Sequence, residues 1–228
     1  MVAAVITTTL GAAALAWAAT PMMAEEDALA AATARVTVTE SAEGVVLTSA
    51  QPSEQGLVFF AGARVDPAAY ADTLSGVAAS GITVVIARPT LNFAILETRP
   101  LATWQALAPG VDRWAVGGHS LGGVRACMYA ASDEVSGLVL FGSYCAVDLA
   151  GSNLPVLSLA GGNDGLSTEA KIAGAAPLLP SNARFETIPG AAHAQFGDYG
   201  TQPGDGPHEA DDAEVREAIT DAVLALLG

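Results

Sequence analysis

Positive charge is what this chain of 228 residues has least of: nine basic residues, only one of them a lysine (Lys171), stand against 24 Asp and Glu, for a formal net charge of −15. With no basic patch to neutralise phosphates, nucleic acid is excluded as a partner, and nothing draws the chain to an anionic surface. Cysteine is nearly as scarce. Cys127 and Cys145 are too few for a disulfide framework or a metal site, and their apolar surroundings lead us to expect buried free thiols; a bridge is the alternative if the protein is exported. Histidine occurs three times, as His119, His193 and His208, which narrows any search for a general base. Charged residues make up 14% and hydrophobic ones 51%, with 24 glycines, a balance that excludes disorder and suits a sheet buried on both faces.

From Val2 to Ala24 the chain carries no charge and is rich in Ala, Leu, Val and Ile. That length serves a single membrane-anchoring helix or the apolar part of a signal peptide, so export is expected, secreted or anchored. No Lys or Arg precedes the run and Pro21-Met22-Met23-Ala24 is a poor cleavage site, which favours the anchor. The organisation expected is therefore an anchor or signal over 1–24, a linker or short helix over 25–33, and one domain over 34–228.

Within that domain the apolar pattern alternates between strands and helices. Arg35–Glu40 and Val45–Thr48 predict a leading hairpin, and Leu57–Phe60 a strand. A helix follows with Asp66 at its N-cap and Pro67 at its first position. Ile82–Ala87, Trp114–Gly117, Gly137–Gly142, Pro155–Ala160 and Arg184–Ile188 predict further strands. Helices are expected over Thr98–Ala108, Val124–Ala131, Glu169–Ala175 and Ala213–Leu227. Strands separated by helices imply right-handed crossovers, hence a three-layer α/β fold with a mainly parallel sheet. Only ten residues separate Tyr144 from Pro155, too few for a large cap domain.

Between a predicted strand and a predicted helix stands Gly118-His119-Ser120-Leu121-Gly122, the G-x-S-x-G pattern in the context where a strand turns sharply into a helix and lifts a serine above the sheet. The flanking glycines relieve the crowding of such a turn. Ser120 is thus the candidate nucleophile, and the backbone N–H of Leu121, at a helix N-terminus, a candidate oxyanion donor. His119 leaves the turn in a different direction from Ser120, and His208 lies in a Pro/Gly/Asp-rich surface stretch. His193, five residues past the last predicted strand, is the candidate base. The histidine partner belongs on a loop between serine and histidine; Asp164, in Gly161-Gly162-Asn163-Asp164-Gly165, fits, with Asp148 the rival and Asp133 and Glu134 solvated helix-end charges. Ala63, after the strand ending at Phe60, is the second oxyanion donor unless Ala61-Gly62-Ala63 is a plain turn. Tyr144, Phe93, Phe196 and Tyr199 are candidates to line an open cleft, with core packing the other reading of each.

Four stretches, FAGARVDPAAY from Phe60, RPTLNFA from Arg88, GGHSLGG from Gly117 and HAQFGDYGTQPGDG from His193, together resemble the α/β-hydrolase fold-5 family, which is similar to esterases and dienelactone-hydrolase-like enzymes. The resemblance spans roughly residues 57–206 and implies the α/β-hydrolase fold, with Ser120, Asp164 and His193 as its triad. Many members carry one N-terminal hydrophobic helix, which also favours an anchor. In the family an asparagine usually precedes the histidine; Ala192 here implies that one supporting hydrogen bond is missing. The function expected is hydrolysis of a small-molecule carboxylic ester through an acyl-enzyme, with no metal or organic cofactor. Acyl transfer on the same triad, or a catalytically silent scaffold acting as a binding module, are the alternatives.

Overall fold

Alternation along the strands decides the layers, because successive side chains of a strand point to opposite faces. In the computed structural model, which describes residues 20–228, Leu57 and Phe59 of β3 (Gln55–Phe60) enter one core, and Val58 and Phe60 enter the other. The same division holds in β4 (Thr83–Ala87), where Val84 and Ile86 face one side and Val85 and Ala87 the other. A strand apolar on both faces must be covered on both. One face is closed by α1 (Glu26–Arg35), α2 (Ala71–Ala79) and α6 (Asp212–Leu227), through Ala32, Leu74, Val77, Ile219 and Val223. The other is closed by α3 (Ala102–Gln105) and α4 (Leu121–Ser132), through Trp104, Ala126, Cys127 and Tyr129.

The sheet of the described residues runs β1-β2-β4-β3-β5-β6-β7-β8. β1 (Thr37–Glu40) and β2 (Gly44–Thr48) form the expected hairpin and pair antiparallel. From β4 onward, through β3, β5 (Arg113–His119), β6 (Leu138–Phe141), β7 (Val156–Gly161) and β8 (Arg184–Ile188), every pair is parallel. All the loops that follow these parallel strands therefore emerge at one edge, where side chains distant in sequence can meet. α5 (Glu169–Ala175) and α6 occupy the predicted positions. Asp66 caps its helix as expected, accepting the Ala68 N–H at 2.9 Å, although the first turn, Pro67–Tyr70, is 3-10 and α2 begins only at Ala71.

Three expectations need correction or redrawing. The helix expected over Thr98–Ala108 shrinks to one turn, α3. The buried Glu97 carboxylate takes the N–H groups of Thr98 and Arg99 and the Arg99 guanidinium, and so holds 98–101 as a clamp. Local periodicity carries no sign of that side chain's competition for the backbone. Cys127 and Cys145 are not free thiols: they form a disulfide, at a Cα–Cα distance of 5.6 Å and 18 residues apart. α4 and the loop after β6 are brought side by side by the pairing of β5 with β6, a juxtaposition that chain spacing does not reveal. Most of the anchor or signal expected over 1–24 lies outside the described residues. Its described end is extended, with Met22 bridged in parallel to Val65 and packed on the core. Among the described residues no helix is long and apolar enough to cross a membrane, and 25–33 fall almost wholly within α1.

Two predictions follow from these contacts. Replacing both cysteines by alanine lowers the unfolding free energy by about 3 kcal/mol, the loop-closure entropy of a separation of this size; denaturant unfolding indistinguishable from the parent protein would show that packing alone holds α4 to the β6 loop. At Glu97, burial alone would raise the pKa, but Arg99 and the N–H groups of Arg99 and Thr90 bring it down to about 2. The stabilisation is therefore fully present above the ordinary carboxylate pKa and lost as pH falls toward about 2. Glu97→Gln should melt well below the parent protein at neutral pH, with a gap that narrows across that acid window.

Candidate active site

β5 must pass into α4 within a single residue, and that residue is Ser120, at φ 52 and ψ −124. For a residue with a Cβ this is a costly conformation, on the order of 1–3 kcal/mol, so the surroundings have to enforce it. They do so with glycine. A Cβ on Gly118 would meet the Gly123 nitrogen at 2.6 Å, and one on Gly122 would drive into the Phe60 and Ala61 carbonyls. The Ser120 N–H continues the sheet by bonding the Phe141 carbonyl at 3.1 Å, and the Ser120 carbonyl accepts from Ser143 Oγ at 2.7 Å. The serine side chain is left half-exposed at the head of α4.

His193 begins the 3-10 turn His193–Phe196 in the loop after β8, and Asp164 stands on the turn after β7. The two loops bring His193 Nδ1 within 2.7 Å of Asp164 Oδ2, with both side chains almost fully buried. Asp164 Oδ1 accepts the N–H groups of Leu166 and Ser167 at 2.8 and 2.6 Å. An aspartate so fixed accepts a hydrogen bond from the histidine's Nδ1–H and leaves Nε2 as the free base position. Nε2 is buried and makes no hydrogen bond, Ser120 Oγ included. Gly142 makes this pair possible: at φ 47, a Cβ there would stand 2.9 Å from Asp164 Oδ2 and 3.1 Å from His193 Nδ1. Asp148, the rival carboxylate, is exposed and accepts only the N–H of Ala150.

His119 is buried, with its ring 4.3 Å from that of His193. Tyr70 holds it there. The phenol accepts the Gly62 N–H at 2.9 Å and shares a hydrogen bond with His119 Nδ1 at 2.8 Å. Burial, with the neighbouring His193, pushes the His119 pKa well down, and burial pushes that of Tyr70 up, so both are neutral. The same phenol thereby ties down the loop carrying Ala63. The N–H groups of Leu121 and Ala63 have no hydrogen-bond partner among the described residues, as oxyanion donors require. Of the aromatic candidates, Tyr144 and Phe93 are half-buried. Phe196 does not line the cleft: it is fully buried and stacked on Phe141, because the turn that begins at His193 carries it back beneath the sheet edge. Tyr199 is likewise buried, against Tyr70. Among the described residues no three His, Cys, Asp or Glu side chains converge as a metal would require.

One residue of the site lies within the stretch HAQFGDYGTQPGDG but has no role assigned from the sequence. Asp205, its side chain 2% exposed, accepts four backbone N–H groups: His193 at 3.0 Å, Ala194 at 2.8 Å, Gly206 at 2.7 Å and Gly165 at 3.2 Å. It joins the Asp164 loop to the His193 loop. Burial would raise its pKa, but these N–H groups outweigh that and hold it below the usual carboxylate range. The available signal was an acid within a Pro/Gly-rich stretch, which reads equally as a solvated surface loop. Ala192 has no side-chain hydrogen bond to offer beside His193; its backbone N–H bonds Gln195 Oε1 at 2.9 Å.

The profile of an alpha/beta hydrolase family matches residues 56–217. The chain belongs to that family. The sheet order, the elbow after β5 and the Asp and His loops after β7 and β8 are consistent with that membership. No curated protein matches the chain in sequence. Among solved structures this alpha/beta hydrolase is similar to a predicted CIB-like hydrolase from Thermoplasma acidophilum, at 16% identity and a TM-score of 0.62, covering 84% of this chain and 100% of that one. It is also similar to a thermophilic esterase from Thermogutta terrifontis (13%, TM-score 0.59, 85% and 98%) and to a carboxylesterase from Bacillus subtilis (12%, TM-score 0.57, 88% and 96%). At such identities the likeness speaks for the fold.

Asp205→Ala should release both loops at once. Amide exchange at Gly165, His193 and Ala194 is expected to accelerate about 10–100-fold at neutral pH, as loss of one to three kcal/mol of local protection implies. Because the Asp205 pKa is lowered, the difference is complete above the ordinary carboxylate range and fades as pH falls through the lowered value. Unchanged exchange at those three amides would remove Asp205 from the support of the site.

Proposed function

We propose that this alpha/beta hydrolase is a serine hydrolase that cleaves carboxylic esters through an acyl-enzyme. The observation that carries the reading is the buried 2.7 Å pair of His193 and Asp164 beside a serine held at a strained strand-to-helix turn. Burial of a charged carboxylate is costly unless it is used or fully paired. Here Asp164 Oδ1 is held by the N–H groups of Leu166 and Ser167, and Oδ2 is given to a histidine whose other nitrogen has no hydrogen-bond partner among the described residues.

In the proposed reaction Ser120 Oγ meets His193 Nε2 and attacks the ester carbonyl, and the hydroxyl proton passes to Nε2. Asp164, hydrogen-bonded at Nδ1, stabilises the imidazolium. Charge moving onto the carbonyl oxygen is received by the N–H groups of Leu121 and Ala63, the first reinforced by the dipole of α4. His193 then gives its proton to the leaving alcohol, releasing it from an acyl group now on Ser120. Water, deprotonated by His193 in turn, attacks that acyl group and frees the acid and the serine. The family and its esterase-like structural neighbours support this reaction class, and the absence of a large cap between β6 and β7 leaves water free access for the second half.

A fluorophosphonate probe should label the full-length protein at Ser120, and short nitrophenyl esters should be turned over. Ser120→Ala abolishes labelling, and His193→Ala and Asp164→Asn each lower turnover by roughly 10³–10⁴-fold. Free acid as the acyl product, undiminished by added alcohols, separates hydrolysis from acyl transfer. A folded protein that neither labels nor turns over ester would sink the proposal in favour of a binding scaffold.

A further inference from the structure

Large apolar side chains left in water are informative when they gather. Seven are exposed among the described residues, and five of them, Leu91, Ile95, Leu96, Leu121 and Met128, belong to the loop after β4 and to α4. The turn Ala94–Leu96 packs on α4, whose first residue, Leu121, follows Ser120, so these side chains lie on two elements in contact with each other beside the serine, Met128 two turns further along. The loop is also strained to present them: Leu91 and Asn92 stand consecutively at φ 54 and 58, a left-handed conformation that non-glycine residues adopt at a cost. Of the other two, Met23 lies on the segment that enters the fold here, and Phe185 is on β8, at the far edge of the sheet.

Two further observations identify what the rim meets. First, on a chain of net charge −15, residues 60–66, 88–108 and α4 hold only two acids, Asp66 and Glu97, each buried and ion-paired with an arginine. Exposed acids come only beyond the far end of α4, at Asp133 and Glu134. Second, the uncharged run Val2–Ala19 joins the described structure at this place. The Thr20 carbonyl accepts from Arg64 Nη2 at 2.8 Å, the Met22 N–H bonds the Arg64 carbonyl, and the Arg64 N–H bonds Asn92, next to Leu91. The apolar end of the chain and the exposed apolar rim are thus fastened to the same residue.

We infer that this rim, Leu91, Ile95, Leu96 and Leu121, rests on a lipid surface, and that the site accordingly takes esters with an apolar chain presented from the lipid phase. The second clause rests on the serine hydrolase reading; the first does not. Apolar side chains lying in the interface next to a nucleophile shorten the path of a lipid-borne ester to it, and a rim without exposed carboxylates avoids the desolvation that acids would incur there. Four arginines lie in these stretches, Arg64, Arg88, Arg99 and Arg125, and two of them are ion-paired with the buried acids, so the apolar side chains lead the contact.

Both native cysteines are in the bridge, so a single added cysteine can be labelled uniquely. In the full chain, an environment-sensitive fluorophore at Leu96→Cys, and separately at Ile95→Cys, should be strongly quenched by brominated phosphatidylcholine vesicles, at a depth of about 5–10 Å. The same label at Phe185→Cys should not. Quenching at neither position while the chain sediments with vesicles would mean that the N-terminal run only tethers the domain, and would overturn the inference. So would equal quenching at all three, or a shift at Leu96 that appears without lipid as protein concentration rises, which would assign the rim to a second copy. For the substrate clause, Leu96→Glu should lower turnover of a vesicle-embedded long-chain nitrophenyl ester, relative to soluble nitrophenyl acetate, by about tenfold; an unchanged ratio overturns it. Quenching needs no catalysis, so a protein that quenches but never labels with fluorophosphonate loses the substrate clause and keeps the surface.

Discussion

The passage from strand to helix in one residue is the constraint on which the rest of this molecule depends. Ser120 accepts a backbone conformation that an L-residue resists, and everything within a few ångströms is arranged so that it has no alternative. Gly118 and Gly122 let the chain fold onto itself and onto the end of β3. Ser143 holds the Ser120 carbonyl. The strain is small beside the apolar burial of β5 and α4 on either side, in which Val116, Ala126, Cys127 and Tyr129 share one core; each large side chain so buried contributes about 1.5–3 kcal/mol. The packing of two regular elements therefore sustains one irregular residue.

Around that residue two carboxylates have separate duties. Asp164 faces a side chain and sets the histidine's tautomer. Asp205 faces only backbone near the site and sets where the histidine's loop lies relative to its partner's. Tyr70 plays the corresponding part on the other side, tying the Ala63 loop to His119. Each loop at this edge of the sheet is thus pinned by a buried polar group from a different part of the chain, an arrangement that gives loops the precision of regular structure.

How much of this could be read beforehand follows the range of the forces involved. Period-two alternation and turn residues are local, and β6, β7, β8, α5 and α6 fall where the pattern put them to within a residue or two. The elbow is local as well, and the order of serine, acid and histidine together with a glycine turn directly after the 155–160 strand favours Asp164 over Asp148 as the carboxylate that meets the histidine. What escaped depends on contacts between distant segments. The bridge from Cys127 to Cys145 exists because β5 and β6 are neighbours in the sheet, and Phe196 is buried because its turn folds under His193. The expected 98–108 helix yields to one buried glutamate, and Asp205 lies among prolines and glycines that promise only a loop. The pattern specifies elements; tertiary contact decides which polar side chains organise the backbone between them.

Asp205 receives N–H groups from both Gly165 and His193, so the chain between them leaves one carboxylate and returns to it. That excursion contains α5 and β8, the edge of the sheet, and it is closed off from the reacting groups by the fastening at its base. Lengthening, shortening or exchanging the connection between α5 and β8 would alter the outline of the molecule without displacing the histidine. The segment is in effect an interchangeable module, and a place where evolution or engineering can graft new surface onto an unchanged site.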